Sequence, residues 1–163
     1  MALPSSARYS IPMEYRRLDH CVYGCEYHIV ITTKYRRNVI NEGVWAWLER
    51  KLLEIPEHYP QIFFKTRNHD KDHIHLQAVI PPTMSVGSVV RLIKTNTARG
   101  AKEQFPFLKK VYWGTDSLWS AGYFVSTSGI SSEVLKAYIE HQGRADEGQT
   151  AELFEIPEQN PRA

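Results

Sequence analysis

An α+β fold, an antiparallel sheet with helices packed on it, is predicted for this 163-residue chain. Three observations predict it. Period-2 runs rich in β-branched and aromatic residues alternate with stretches of helical period. Serines stand where two of the helices would begin. The apolar and charged fractions, 42% and 23%, are those of an ordinary globular domain with enough chain to bury a core.

Each element follows in order. Residues 1–16 are polar, are interrupted by Pro4 and Pro12, and are expected to be a flexible segment. From Val22 to Thr33, Cys25, Tyr27, Ile29 and Ile31 alternate with Glu26, His28, Val30 and Thr32, the period of a strand. A basic loop, Lys34-Tyr35-Arg36-Arg37, follows. Val44, Leu48, Leu52 and Ile55 then recur at helical spacing, and Pro56 is expected to end or kink that helix. Ile62–Arg67 and His73–Ile80 read as a hairpin, stopped by Pro81-Pro82. Ser85 can cap a helix from about Val86 to Gln104, with Val89, Val90, Ile93 and Ala101 on its apolar side. Beyond an aromatic loop, Tyr123–Thr127 reads as a strand. Ser131 caps a last helix, with Glu133 near its positive end and Gly143 as the expected stop. The order is βαββαβ plus one helix. That is the ferredoxin-like split βαβ pattern, with helices on one face of the sheet and an appended C-terminal helix.

Charge is unevenly spread. Residues 146–163 hold five acids against the single base Arg162, which leaves 19 basic and 13 acidic residues in 1–145, a net of +6. A basic body with an acidic tail at 145–163 fits a nucleic-acid binder and many other enzymes besides. Cys21 and Cys25 match neither a redox pair nor a four-ligand zinc module, and are expected as small buried thiols. Met1–Arg17 lacks the apolar run of a secretory signal, and no stretch could span a bilayer. A cytoplasmic protein with reduced thiols and no membrane partner is expected.

Two constellations can carry chemistry. In His73-Ile74-His75, alternate residues of a strand share a face, with Cα atoms roughly 7 Å apart. Two imidazoles so placed can converge on one divalent ion, whereas an isolated His-x-His is more often a solvated sheet face. On the last helix Tyr138 and Gln142 are four apart and share a face, beside the packing stripe of Leu135 and Ile139. A tyrosine there is usually a packing residue. Together the two constellations suit phosphodiester chemistry. A phenol that attacks a phosphodiester exchanges one phosphate ester for another, so a DNA 3′-hydroxyl can reverse the step without a nucleotide cofactor. A free phenol has a pKa of about 10, so a metal must polarise the phosphate. The third protein ligand is open between Gln142 and Gln77, which shares the strand face of the histidines.

Several motifs in this order resemble the single-tyrosine HUH transposases of the insertion sequence 200/605 family, named for His-hydrophobic-His. The resemblance runs from about Tyr27 to Gln142. It takes in Thr33-Lys34-Tyr35-Arg36-Arg37, Asp72-His73-Ile74-His75-Leu76, Pro81-Pro82, Leu118-Trp119, Gly122-Tyr123-Phe124-Val125-Ser126-Thr127 and Tyr138-Ile139-Glu140-x-Gln142. It implies a catalytic domain at 17–144 and a metal, Mg²⁺ or Mn²⁺, held by His73, His75 and Gln142. Tyr138 would be the nucleophile, forming a 5′-phosphotyrosine. The implied partners are single-stranded DNA with hairpin ends and a second copy of the chain. Lys94-Thr95-Asn96-Thr97 departs from the glycine and serines common in relatives, which bears on DNA contact and not on the catalytic set. Lys34, Arg36, Arg37, Arg91, Lys94 and Arg99 are the candidate DNA-binding residues, with a solvated charged face as the plainer alternative. A histidine-triad hydrolase would need a third histidine where Gln77 stands. The remaining rival is a domesticated module that grips hairpins without cutting.

Overall fold

The computed structural model describes residues 15–127 and 129–147. A small hairpin, β1 (Arg16–Leu18) and β2 (Cys21–Tyr23), precedes the central strand β3 (Glu26–Thr32). After a one-turn 3-10 helix at Lys34–Arg36 come α1 (Glu42–His58), β4 (Phe63–His69), β5 (His73–Val79) and α2 (Val86–Ala98). The short helices α3 (Ala101–Gln104) and α4 (Phe107–Val111), strand β6 (Phe124–Ser126) and helix α5 (Ser132–Asp146) complete the order. The main sheet runs β4-β5-β3-β6 with every neighbouring pair antiparallel. This is the expected ferredoxin-like arrangement.

The predicted strand from Val22 divides into β2 and β3, and Arg16, expected in the flexible segment, belongs to a strand. Residues 1–14 and the acidic stretch from 148 onward lie outside the described residues. Cys21 and Cys25 are free thiols, half-buried rather than buried.

The period of β3 suggests one wet face, yet Ile29, Val30, Ile31 and Thr32 are all fully buried. Ile29 and Ile31 face the main core, where Leu48 and Leu52 of α1 and Val89 and Ile93 of α2 meet them. Val30 faces the other way, against Tyr138 and Ile139 of α5. The appended helix therefore covers the second face of the sheet.

Local chemistry sets the helix boundaries. The Asn41 side chain accepts from the Val44 amide at 2.9 Å, and Ser85 and Ser131 do the same for Ser88 and Val134. Pro56 does not end α1, which runs on to His58; it sits in the last turn, where little helix follows the lost hydrogen bond. The helix expected through Gln104 breaks at Gly100, whose φ of 78° suits glycine, and restarts as α3. Gly143, the expected stop, lies inside α5. A Cβ there would stand 3.1 Å from the Arg36 side chain, so this glycine serves close approach.

Candidate active site

In β5, Ile74, Leu76 and Ala78 are fully buried in the core, which turns His73, His75 and Gln77 to the opposite face. They pair across the sheet with Thr32, Val30 and His28 of β3. The strand thus delivers both imidazoles to the side covered by α5.

His73 Nδ1 lies 2.8 Å from Asp72 Oδ1, and Arg36 Nε donates to the other Asp72 oxygen at 3.0 Å. Burial alone would raise the Asp72 pKa; the hydrogen bonds and charges of His73 and Arg36 outweigh it and hold the carboxyl below its usual value. With Nδ1–H given to a carboxylate, the His73 Nε2 lone pair faces outward, the tautomer a metal ligand needs. His75 Nε2 is 3.3 Å from His28 Nδ1, a third imidazole on the same face. Burial, then the neighbouring His28 and His73, lower the His75 pKa and favour the neutral ring.

On α5 the Tyr138 hydroxyl donates to Gln142 Oε1 at 3.4 Å, and the ring tilts against Phe124 at 5.5 Å between centroids. Both residues are buried, at 8% and 9% exposure. Burial, reinforced by the Asp146 charge, pushes the Tyr138 pKa well above the ordinary phenol value, so the resting side chain is a neutral phenol. Gly122 lies beneath this pair, and a Cβ there would stand 2.6 Å from Gln142 Oε1 and force that amide to shift.

The two glutamines differ. Gln77 is tied into the sheet surface: its oxygen accepts from Thr66 at 3.3 Å, and its nitrogen donates to Glu26, itself paired with Lys65. Gln142 points its oxygen at the Tyr138 hydroxyl.

The structure brings the predicted residues together as two pairs, His73 with His75 and Tyr138 with Gln142. α5 lies over the imidazole face through Val30, the cross-strand partner of His75. A cleft of about 240 Å³ lined by His73, Asp72, Leu135 and Ile139 opens between strand and helix. Among the described residues, no hydrogen bond joins Tyr138 or Gln142 to either imidazole. Nor do three His, Cys, Asp or Glu side chains gather closely enough to hold an ion. A two-imidazole donor set with a neutral amide still fits a divalent ion that keeps open positions for a phosphate.

The basic candidates separate. Arg36, Arg37, Arg91 and Arg99 are exposed. Lys94 is half-buried. Its ammonium donates to the carbonyls of Ser120, Ala121 and Gly122 at 2.7, 3.1 and 2.9 Å, and burial lowers its pKa against the pull of Asp146. It holds the loop that places Gly122 under Gln142. Lys34 pairs with Asp146 at 3.6 Å and Arg36 with Asp72. Asp72, Asp146, His28 and Gly122 were absent from the predicted site set. Alternation along β3 already placed His28 on the Val30 face, and Asp72 adjoins the motif.

Fold and site define a small α+β domain in which a His-x-His strand is opposed by a tyrosine-bearing helix. The family model described as "Transposase IS200 like" matches residues 21–142. The transposase for insertion sequence element IS200 of Salmonella typhimurium is 34% identical over 146 residues, 87% of this chain and 91% of that protein. The ISDra2 transposase TnpA of Deinococcus radiodurans is 29% identical over 133 residues, 81% and 94% of the two chains. A crystal structure assigned as a transposase of Deinococcus radiodurans superposes with a TM-score of 0.66 at 28% identity, covering 78% of this chain and 97% of that one. This chain belongs to the IS200-like transposase family. No helix among the described residues is long and apolar enough to cross a membrane.

Proposed function

We propose that this transposase cuts and rejoins single-stranded DNA at hairpin-bearing ends, with Tyr138 as nucleophile and a divalent metal bound by His73, His75 and Gln142. One observation carries the proposal: the helix bearing Tyr138 and Gln142 lies over the sheet face that bears both imidazoles. Family membership supports the substrate class.

In the forward step the Tyr138 oxygen bonds to phosphorus as the P–O3′ bond breaks, leaving a 5′-phosphotyrosine. The phenol proton is lost and the departing oxygen takes one up as a 3′-hydroxyl. In the reverse step a 3′-hydroxyl attacks the phosphotyrosine and frees the phenol. His73, His75 and Gln142 would hold the Mg²⁺ or Mn²⁺, which would supply Lewis acidity to the scissile phosphate. Asp72 keeps His73 in the tautomer that can ligate. Tyr138, buried and neutral at rest, must leave its contact with Gln142 to reach a phosphate. Family membership supports a homodimer as the working unit. Exposed Arg37, Arg91 and Arg99 are the proposed phosphate contacts, giving affinity that falls with salt.

The test mixes the protein with hairpin-bearing single strands and Mg²⁺ or Mn²⁺, then seeks a protein–DNA adduct that survives denaturation. Wild type forms it and Tyr138→Phe, which keeps the buried ring, does not. Equal yield in the mutant removes Tyr138 from the reaction. Hairpin binding with no cleavage by wild type supports instead a domesticated module that grips without cutting.

A further inference from the structure

We propose that Arg36 is a positioning residue that couples the seat of α5 to the orientation of His73, so that metal binding and docking of the tyrosine helix reinforce each other. The inference rests on the metal reading above. Three independent features meet at this side chain.

The first is the backbone. Tyr35 and Arg36 have φ of 56° and 53°, the left-handed region that residues with a Cβ rarely occupy. The turn is held there by Arg36 N–H to Thr33 O at 3.0 Å, Thr33 Oγ1 to Arg37 O at 2.8 Å, and Tyr35 N–H to Asp146 Oδ2 at 2.9 Å. Its anchor therefore includes the last residue of α5. The second is the helix. The Arg36 stem lies against Gly143, where an added Cβ would stand 3.1 Å from Arg36 Cδ and 3.2 Å from its Cβ. The third is the head group. Arg36 Nε donates to Asp72 at 3.0 Å, and Asp72 meets His73 Nδ1 at 2.8 Å.

Continuous contact thus runs from the backbone of α5, through one arginine and one carboxylate, to a metal-ligand imidazole. An ion held by His73 would stabilise the imidazole orientation that this chain selects. By thermodynamic reciprocity, a seated α5 must then favour the ion as much as the ion favours the seated helix. A phosphate-binding role alone explains neither the glycine at 143 nor the Asp72 contact, because both are made without DNA.

Mn²⁺ is titrated into the full chain without DNA, with its affinity followed by calorimetry and α5 by amide exchange. His73→Ala serves as the reference. Arg36→Met keeps the stem on Gly143 and deletes the guanidinium, with its hydrogen bond and its charge beside Asp72; Mn²⁺ affinity should fall several-fold, less than the roughly 10–100-fold typical of losing the ligand's direct outer partner. Gly143→Ala sets its added methyl against the Arg36 stem and not against an imidazole, yet it should also weaken Mn²⁺ several-fold. In wild type, Mn²⁺ should slow exchange along α5, and in Arg36→Met it should not. If wild type and both variants bind Mn²⁺ within twofold of one another while His73→Ala does not bind, the coupling is wrong and the metal reading stands. If wild type takes up no Mn²⁺, or His73→Ala binds as well as wild type, the metal reading itself fails. Should Gly143→Ala not fold, Arg36→Met and the exchange measurement decide alone.

Discussion

The strand carrying His73 and His75 and the helix carrying Tyr138 and Gln142 are fixed by different means. β5 is an interior strand, hydrogen-bonded on both edges, and Ile74 and Leu76 sink into the main core. Each such side chain contributes about 1.5–3 kcal/mol of burial. α5 rests on a satellite cluster in which Val30, Tyr138 and Ile139 are the buried members, with Phe124, Ile130 and Leu135 around them. Its C-terminal end is pinned by polar contacts. Asp146 accepts from the Tyr35 amide and the Ser120 hydroxyl and pairs with Lys34, while its own side chain is 3% exposed. The strand bearing the two histidines is therefore built into the core, and the helix bearing Tyr138 is held by a smaller contact set. Such elements open at lower free energy than core strands.

The largest effect that can break this comparison comes from the platform. His73→Ala should reduce cleavage by more than the 10–100-fold typical of losing an outer-shell partner, and leave hairpin affinity nearly unchanged, since phosphate contacts supply it. A parallel loss of hairpin binding, measured by gel shift at fixed salt, would contradict the separation of the two roles. Next comes the pin. Asp146→Ala leaves the Tyr35 amide without its carboxylate acceptor, at a cost of about 1–3 kcal/mol. Amide exchange along α5 should then quicken on the order of tenfold with β3 and β5 unchanged; uniform acceleration would show that helix and sheet open as one unit. The smallest effect concerns His28. Its hydrogen bond occupies His75 Nε2 in the resting protein, so His28→Ala should tighten Mn²⁺ binding by a few-fold. Weaker binding in that variant would make His28 a ligand instead.

Much of this architecture was readable from spacing. Period-2 runs and capping serines locate the sheet and its helices, because side-chain alternation and orphan backbone amides are local effects. What escaped was tertiary. Gly143 looks like a helix stop, because a sequence shows a glycine's freedom and not the arginine pressed against it. For Lys94 and Arg36 the sequence shows the charge and not the partners; one donates to three carbonyls and the other to a carboxylate. Asp146 reads in the sequence as the start of an acidic tail, yet it pins the end of α5. Arg16–Leu18 is not legible as a strand, because three residues carry no period of their own.

The most direct measurement is peptide mapping of the covalent adduct formed with a hairpin-bearing strand and Mn²⁺. The nucleotide mass should sit on the peptide containing Tyr138, attached through a 5′ phosphate, and should vanish in His73→Ala. A nucleotide found on any other residue, or undiminished after His73 is removed, would contradict the pairing of this helix with this strand.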